Sequence, residues 1–190
     1  MITQPPLRHS RGFTMIETLV VIFIVSIVML GITSLFINFH NTYAIQNGII
    51  NSAYSASQFL NETGKLALQA RSIVGTRIFG GISYTTGTST LILEIPSVDS
   101  SGDIVTNTYD YALIKLSGST IQRTLEANGT SARVSGTKQL SEVVTELTFT
   151  YNNATPSQAS RISIDVTTQT TVKQQIMQTH LTQQVYLRNI

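Results

Sequence analysis

The sequence predicts an α+β fold in which one long N-terminal helix, first apolar and then amphipathic, packs on a small antiparallel β-sheet head. Three observations carry this expectation. Leu19 to Ile37 (LVVIFIVSIVMLGITSLFI) is a charge-free run with fourteen Leu, Ile, Val or Phe residues. From Tyr43 to Ile73, apolar or small residues recur every three or four positions, the period of a helix face. Beyond Gly81 the period changes to two, the signature of half-buried strands.

The apolar run comes first in the chain. Its length suits a helix crossing a bilayer, which needs about 20 residues. At about −0.3 to −0.6 kcal/mol for each central Leu, Ile, Val or Phe, the run favours insertion by roughly 4–8 kcal/mol as an upper bound. Glu17 stands near its start, where a carboxylate costs less than at the centre. Ser26 and Gly31 are tolerated in such a helix. Arg8, His9 and Arg11 precede the run, and no charge follows it until Glu62. Positive-inside asymmetry therefore places the N-terminus in the cytoplasm and the bulk of the chain outside. A cleaved secretory signal is the rival reading, but it needs a shorter apolar core and a better small-residue site than Gly31-Ile32-Thr33.

The 190 residues leave room for one such segment and one modest domain. There is no cysteine, so no disulfide or thiolate metal site is expected. The formal charge of +2 comes from Arg8 and Arg11; after them Lys plus Arg equals Asp plus Glu, ten against ten. The bulk of the chain thus lacks the basic excess of a nucleic-acid binder.

The junction Gly12-Phe13-Thr14-Met15-Ile16-Glu17-Thr18-Leu19-Val20, with basic residues before it and the apolar run after it, resembles the leader junction of type IV pilins and pseudopilins. The resemblance implies that a membrane-embedded prepilin peptidase cuts between Gly12 and Phe13 and then methylates the new amine of Phe13. It implies a leader held at the cytoplasmic face by Arg8 and Arg11. It also implies that Glu17 meets the amine of Phe13 on a neighbouring subunit during assembly. Physical chemistry agrees with each part. Glycine lets an extended backbone enter a protease without a side-chain clash. Glu17 lies one helical turn from the new amine, and an unpaired carboxylate in hydrocarbon favours docking where a cation meets it. The competing reading is a tolerated Glu that snorkels to the headgroups.

The implied domains are a cleaved leader (1–12), a membrane or filament-core half of the helix (13–39), an amphipathic half (40–74) and an antiparallel head (75–190). In the amphipathic half, Ala53, Ala56, Phe59, Leu60 and Leu66 are expected against the sheet. Gly48 and Gly64 each weaken the helix by about 1 kcal/mol relative to Ala, so a break near either is conceivable. Gly75 to Gly81 is expected to end the helix and turn the chain.

Four alternating segments follow: Leu91–Ile95, Tyr109–Leu113, Leu147–Tyr151 and Ile162–Val166. In the second, Tyr109, Tyr111 and Leu113 are read as one face and Asp110 and Ala112 as the other. Ser117 to Ser119 should join strands Tyr109–Leu116 and Thr120–Leu125 in a hairpin. The Gln-rich tail, 172–187, lacks clean periodicity and is read as a final strand. The expected whole is the lollipop of the pilin family, with a closing Leu187-Arg188-Asn189 similar to minor pilins or pseudopilins of the J or W type.

No catalytic constellation is visible. His9, His40 and His180 form no triad or metal motif. Asp99, Ser101 and Asp103 lack the full calcium-loop pattern and read as a solvated turn. Asn61, Asn128 and Asn153 head chance glycosylation triplets. Tyr109, Tyr111 and Tyr151 read as packed strand residues, and Arg123, Arg133 and Lys138 as solvated charges near Glu126 and Glu142. No enzyme activity and no cofactor are expected. The resemblance implies as partners the peptidase, other pilin or pseudopilin subunits, an inner-membrane assembly platform and, before assembly, lipid. The implied function is a structural minor subunit of a type IV pilus or a type II secretion pseudopilus. DNA uptake in competence and a permanently anchored ligand-binding module are the alternatives.

Overall fold

A computed structural model describes residues 14–187. It has one helix, α1 (Met15–Gln69), and ten strands: β1 (Ser72–Ile73), β2 (Thr76–Phe79), β3 (Ile82–Thr85), β4 (Thr90–Val98), β5 (Ile104–Ser117), β6 (Thr120–Glu126), β7 (Gly136–Ser141), β8 (Val144–Tyr151), β9 (Arg161–Val172) and β10 (Gln175–Tyr186). A short 3-10 turn, Pro156–Gln158, precedes β9. The fold is α+β with antiparallel pairing throughout. The chain divides into two compact units between Ala44 and Ile45.

In the first unit α1 carries the apolar run. One 18-residue window has a mean hydropathy of 2.9 and is long and apolar enough to cross a membrane. Two of its hydroxyls are satisfied within the helix. The Ser26 hydroxyl donates to the Ile22 carbonyl and the Thr33 hydroxyl to that of Met29, both at 2.8 Å. Such back-bonding removes the cost of placing a hydroxyl in hydrocarbon.

The second unit begins at Ile45. Its strands form three sheets: β1-β4-β5-β6-β7, β10-β9-β8 and the pair β2-β3. The main core joins Ala56, Phe59 and Leu60 of α1 to Leu93, Ile114, Phe149, Ile164 and other strand residues. Leu66 is half-buried against it, and Ala53 is half-buried. The buried stripe of α1 is Ser52, Ala56, Phe59, Leu60, Thr63, Gly64 and Ala67. Much of it is small, so the strands approach the helix backbone closely.

That approach explains two glycines. Neither breaks α1, which continues through both. A Cβ added at Gly48 would stand 2.7 Å from Val172 Cγ2 and 3.3 Å from Thr170 Cγ2. At Gly64 it would meet the Gln183 amide at 3.0 Å. Val172 is stiff at χ1 and cannot swing away, whereas the Gln183 amide ends a flexible side chain. Gly48→Ala is therefore expected to lower stability by about 1–3 kcal/mol through overpacking, in spite of its better helix propensity. Gly64→Ala should melt at the same temperature or higher. Thermal unfolding of the full chain in detergent checks both.

Several expectations need correction. The helix stops at Gln69, short of Ile73, because Arg71 and Val74 donate their backbone N–H groups to Glu94 and Ile92 and start a strand pairing. Gly80-Gly81 does not cap the helix. Both adopt positive φ, +58° and +85°, and form the tight turn between β2 and β3. That hairpin covers the second face of β4 and β5, where Phe79 packs with Ile92 and Leu113. The reading of β5 is consequently inverted: Asp110, Ala112 and Ile114 are fully buried, while Tyr111 packs under the hairpin. The hairpin predicted at Ser117–Ser119 forms, with Ser117 opposite Thr120 and Gly118 at φ +62°. The final strand forms as β10, pairing with β9 from Gln175↔Val172 to Tyr186↔Arg161.

Candidate processing and assembly site

The start of α1 is built by Thr14 and Glu17. The Thr14 backbone N–H and hydroxyl each donate to Glu17 Oε2 at 2.9 Å, and the Glu17 N–H donates to Thr14 Oγ1 at 3.3 Å. This is a capping box: residues at the N-cap and three positions on satisfy each other's backbone donors. The pattern T-x-x-E was present in the sequence, yet Glu17 was read there only for its charge. Its carboxylate has a second, local task in holding the first turn closed. Ile16, Val20 and Val21 surround it, so the anion stands at the edge of an apolar surface. Gly12, Phe13, Arg8 and Arg11 lie outside the described residues.

The remaining polar candidates are engaged elsewhere. Asp99 Oδ1 accepts the backbone N–H groups of Ser101 and Asp103 at 2.8 and 3.0 Å, which makes the segment a self-closed Asx turn. Asn128 and Asn153 do the same with the N–H groups of Thr130 and Thr155. Their N-x-T patterns therefore have a turn-forming reason. Among the described residues, no three His, Asp or Glu side chains gather where a metal ion would sit. His180 faces Asp165 at 3.8 Å on an exposed sheet surface.

The basic residues find partners other than those expected. Arg123 and Lys138 both face Glu62 of α1, at 3.8 and 3.2 Å. Arg133 binds Asp110 at 2.7 Å and also donates to the Pro96 carbonyl. A cavity of about 470 Å³ beside Arg133 is lined by Leu68, Gln69, Pro96, Val98 and Ile104. Its one cation is already committed to that network. Arg71 and Arg77 lie over the rings of Tyr109 and Tyr111. Burial, with Glu94 nearby, holds the Tyr111 phenol above its ordinary pKa. Burial alone pushes Tyr151 up, and its hydroxyl donates to the Gly87 carbonyl at 2.9 Å.

Of the functional residues named from the sequence, the described structure thus brings Glu17 together with Thr14 alone. The helix residues Ala56, Phe59 and Leu60 serve the core rather than a site. The residue missed entirely is Asp110, a fully buried anion that organises the loop after β6. A lone carboxylate between two tyrosines on a strand was the available signal.

No curated protein matches this chain. Residues 7–33 match a family model described as the prokaryotic N-terminal methylation motif. That match spans the Gly12 junction, Glu17 and most of the apolar run. It supports a type IV pilin-like subunit, processed at its leader and anchored in a membrane by its first helix.

Proposed function

We propose that the chain is a structural minor pilin or pseudopilin. Prepilin peptidase removes residues 1–12 and methylates the amine of Phe13. The subunit waits in the inner membrane with its N-terminus cytoplasmic, then enters a type IV pilus or a secretion pseudopilus through an assembly platform. Glu17 pairs with the Phe13 amine of a neighbouring subunit and sets the axial register. A scaffold role suits this motif better than an enzymatic one.

The observation that carries the reading is a methylation motif running into a capped helix, where Glu17 is the one charged residue before Glu62. Mass spectrometry of the protein extracted from membranes tests it. The expected mature chain starts at methylated Phe13. Retention of residues 1–12 would instead identify a permanent anchor and remove the proposal.

A further inference from the structure

We propose that β10 is a docking edge on which a second copy of this chain adds its own β10, antiparallel and about a two-fold axis. The idea rests on the second unit alone and is independent of the N-terminal motif.

Exposed sheet edges are liabilities, and folds blunt them with short strands, charges, bulges or covering segments. The other edges here are blunted. β1 has two residues. β7 is short, carries Lys138 and faces a register shift at Ile121/Gln122. β8 is sealed where the Phe149 and Val144 N–H groups donate to the carbonyls of Thr88 and Ser119. β10 is different. It is twelve residues long, holds no Pro, Lys, Arg, Asp or Glu, and pairs with β9 without a bulge. Among the described residues, no strand lies on its outer side.

The register shows which groups that edge offers. Lys173 and Gln174 both have positive φ, so β9 and β10 join through a two-residue turn closed by the pair Val172–Gln175. Odd-numbered residues of β10 therefore bond to β9. Two further bonds agree: Leu187 N–H donates to Ser160, and Gln169 N–H points the other way, to Val143. The even-numbered residues Ile176, Gln178, His180, Thr182, Gln184 and Tyr186 aim their N–H and C=O groups outward. All six side chains are exposed.

A two-fold axis normal to the sheet pairs residues of the same face. Centred on Leu181, it sets His180 opposite Thr182, Gln178 opposite Gln184 and Ile176 opposite Tyr186 on the outer face. On the inner face it sets Leu181 opposite itself and Met177 opposite Val185. Amides meet amides, apolar side chains meet apolar ones, and no like charges face each other. Every outward backbone group from Ile176 to Tyr186 finds a partner. Centring on His180 would oppose two imidazoles and leave Tyr186 unpaired. This self-matching selects a second copy over a foreign strand.

The native chain lacks cysteine, so single cysteines report contacts cleanly in the full chain purified in detergent and oxidised. Opposed Cα atoms about 4.5 Å apart, or about 5.5 Å at bonded pairs, suit a disulfide. Leu181→Cys should cross-link to itself roughly tenfold more than Thr150→Cys on the sheet face. Gln178→Cys and Gln184→Cys should link when co-expressed and not separately. Both positions are exposed, so this arm survives any folding defect of Leu181→Cys. Adding Gln184→Pro, which deletes an outward N–H and spares the β9 ladder, should abolish the Leu181→Cys product. A His180→Cys self-link with Leu181→Cys silent overturns the register. No product in either arm, or products equal to the Thr150→Cys control, overturns the pairing.

Discussion

Asp110→Ala is expected to destabilise the second unit by about 3–5 kcal/mol, the range for breaking a buried ion pair from one side. Asp110 is fully buried. Its Oδ1 accepts the Ser97 hydroxyl and the Asn128 N–H, and its Oδ2 accepts the Ser131 hydroxyl and the Arg133 guanidinium, at 2.7–2.8 Å. Removing the carboxylate leaves these donors facing a void. The loop between β6 and β7 loses its anchor, and the Arg133 links to Pro96 and Gln69 loosen with it. In a chain of this size the melting temperature should drop by roughly 10 °C. Asp110→Asn keeps the shape without the charge and should fall between.

The same residue gives a pH signature. Burial by itself would raise the Asp110 pKa. Arg133, with the Asn128 N–H and the Ser131 and Ser97 hydroxyls, outweighs burial and holds it below the ordinary 3.8. A carboxyl whose folded pKa is depressed contributes stability that is fully present above its unfolded pKa. That contribution is lost as the pH falls through the folded value. Melting temperatures measured from pH 6 downward should therefore decline below about pH 4 in the native chain. Asp110→Asn should show a smaller decline.

Glu17→Gln is expected to reduce incorporation into sheared filaments by roughly tenfold or more, because a neutral amide forms a weaker bond to an amine than a carboxylate does. The substitution separates the two tasks of Glu17. Gln serves in a capping box as Glu does, so the first turn of α1 should stay closed, and leader processing should proceed. Thr14→Ala is the converse variant, keeping the charge and breaking the box. If assembly needs the anion, Glu17→Gln fails and Thr14→Ala assembles better than it. Equal incorporation of Glu17→Gln and the native chain would leave Glu17 with capping alone.

Patterns that depend on neighbours in sequence were legible. The apolar run, the period of two beyond Gly81 and the hairpin at Gly118 are local, and the structure has all three. What failed depended on contacts distant in sequence. Asp110 looked like an outward residue because its partners come from two other segments, Ser97 from β4 and Asn128, Ser131 and Arg133 from the loop between β6 and β7. Tyr111 and Leu113 looked inward because nothing in β5 announces that β2 and β3 will cover that side. Gly48 and Gly64 looked like weaknesses because Val172 and Gln183, which press on them, lie more than a hundred positions downstream. At the N-terminus, Gly12, Phe13 and Glu17 share one short segment, which is why a motif of few residues carried so much of the reading.

The two bonds by which β8 grips Thr88 and Ser119 have a mechanical consequence. They stitch the three-stranded sheet to the five-stranded one at separate points, while both share one hydrophobic core with α1. Load applied to either sheet is thereby shared by the other, and neither peels away by itself. The second unit yields as one cooperative body, a property suited to any protein that must stay folded while it is pulled.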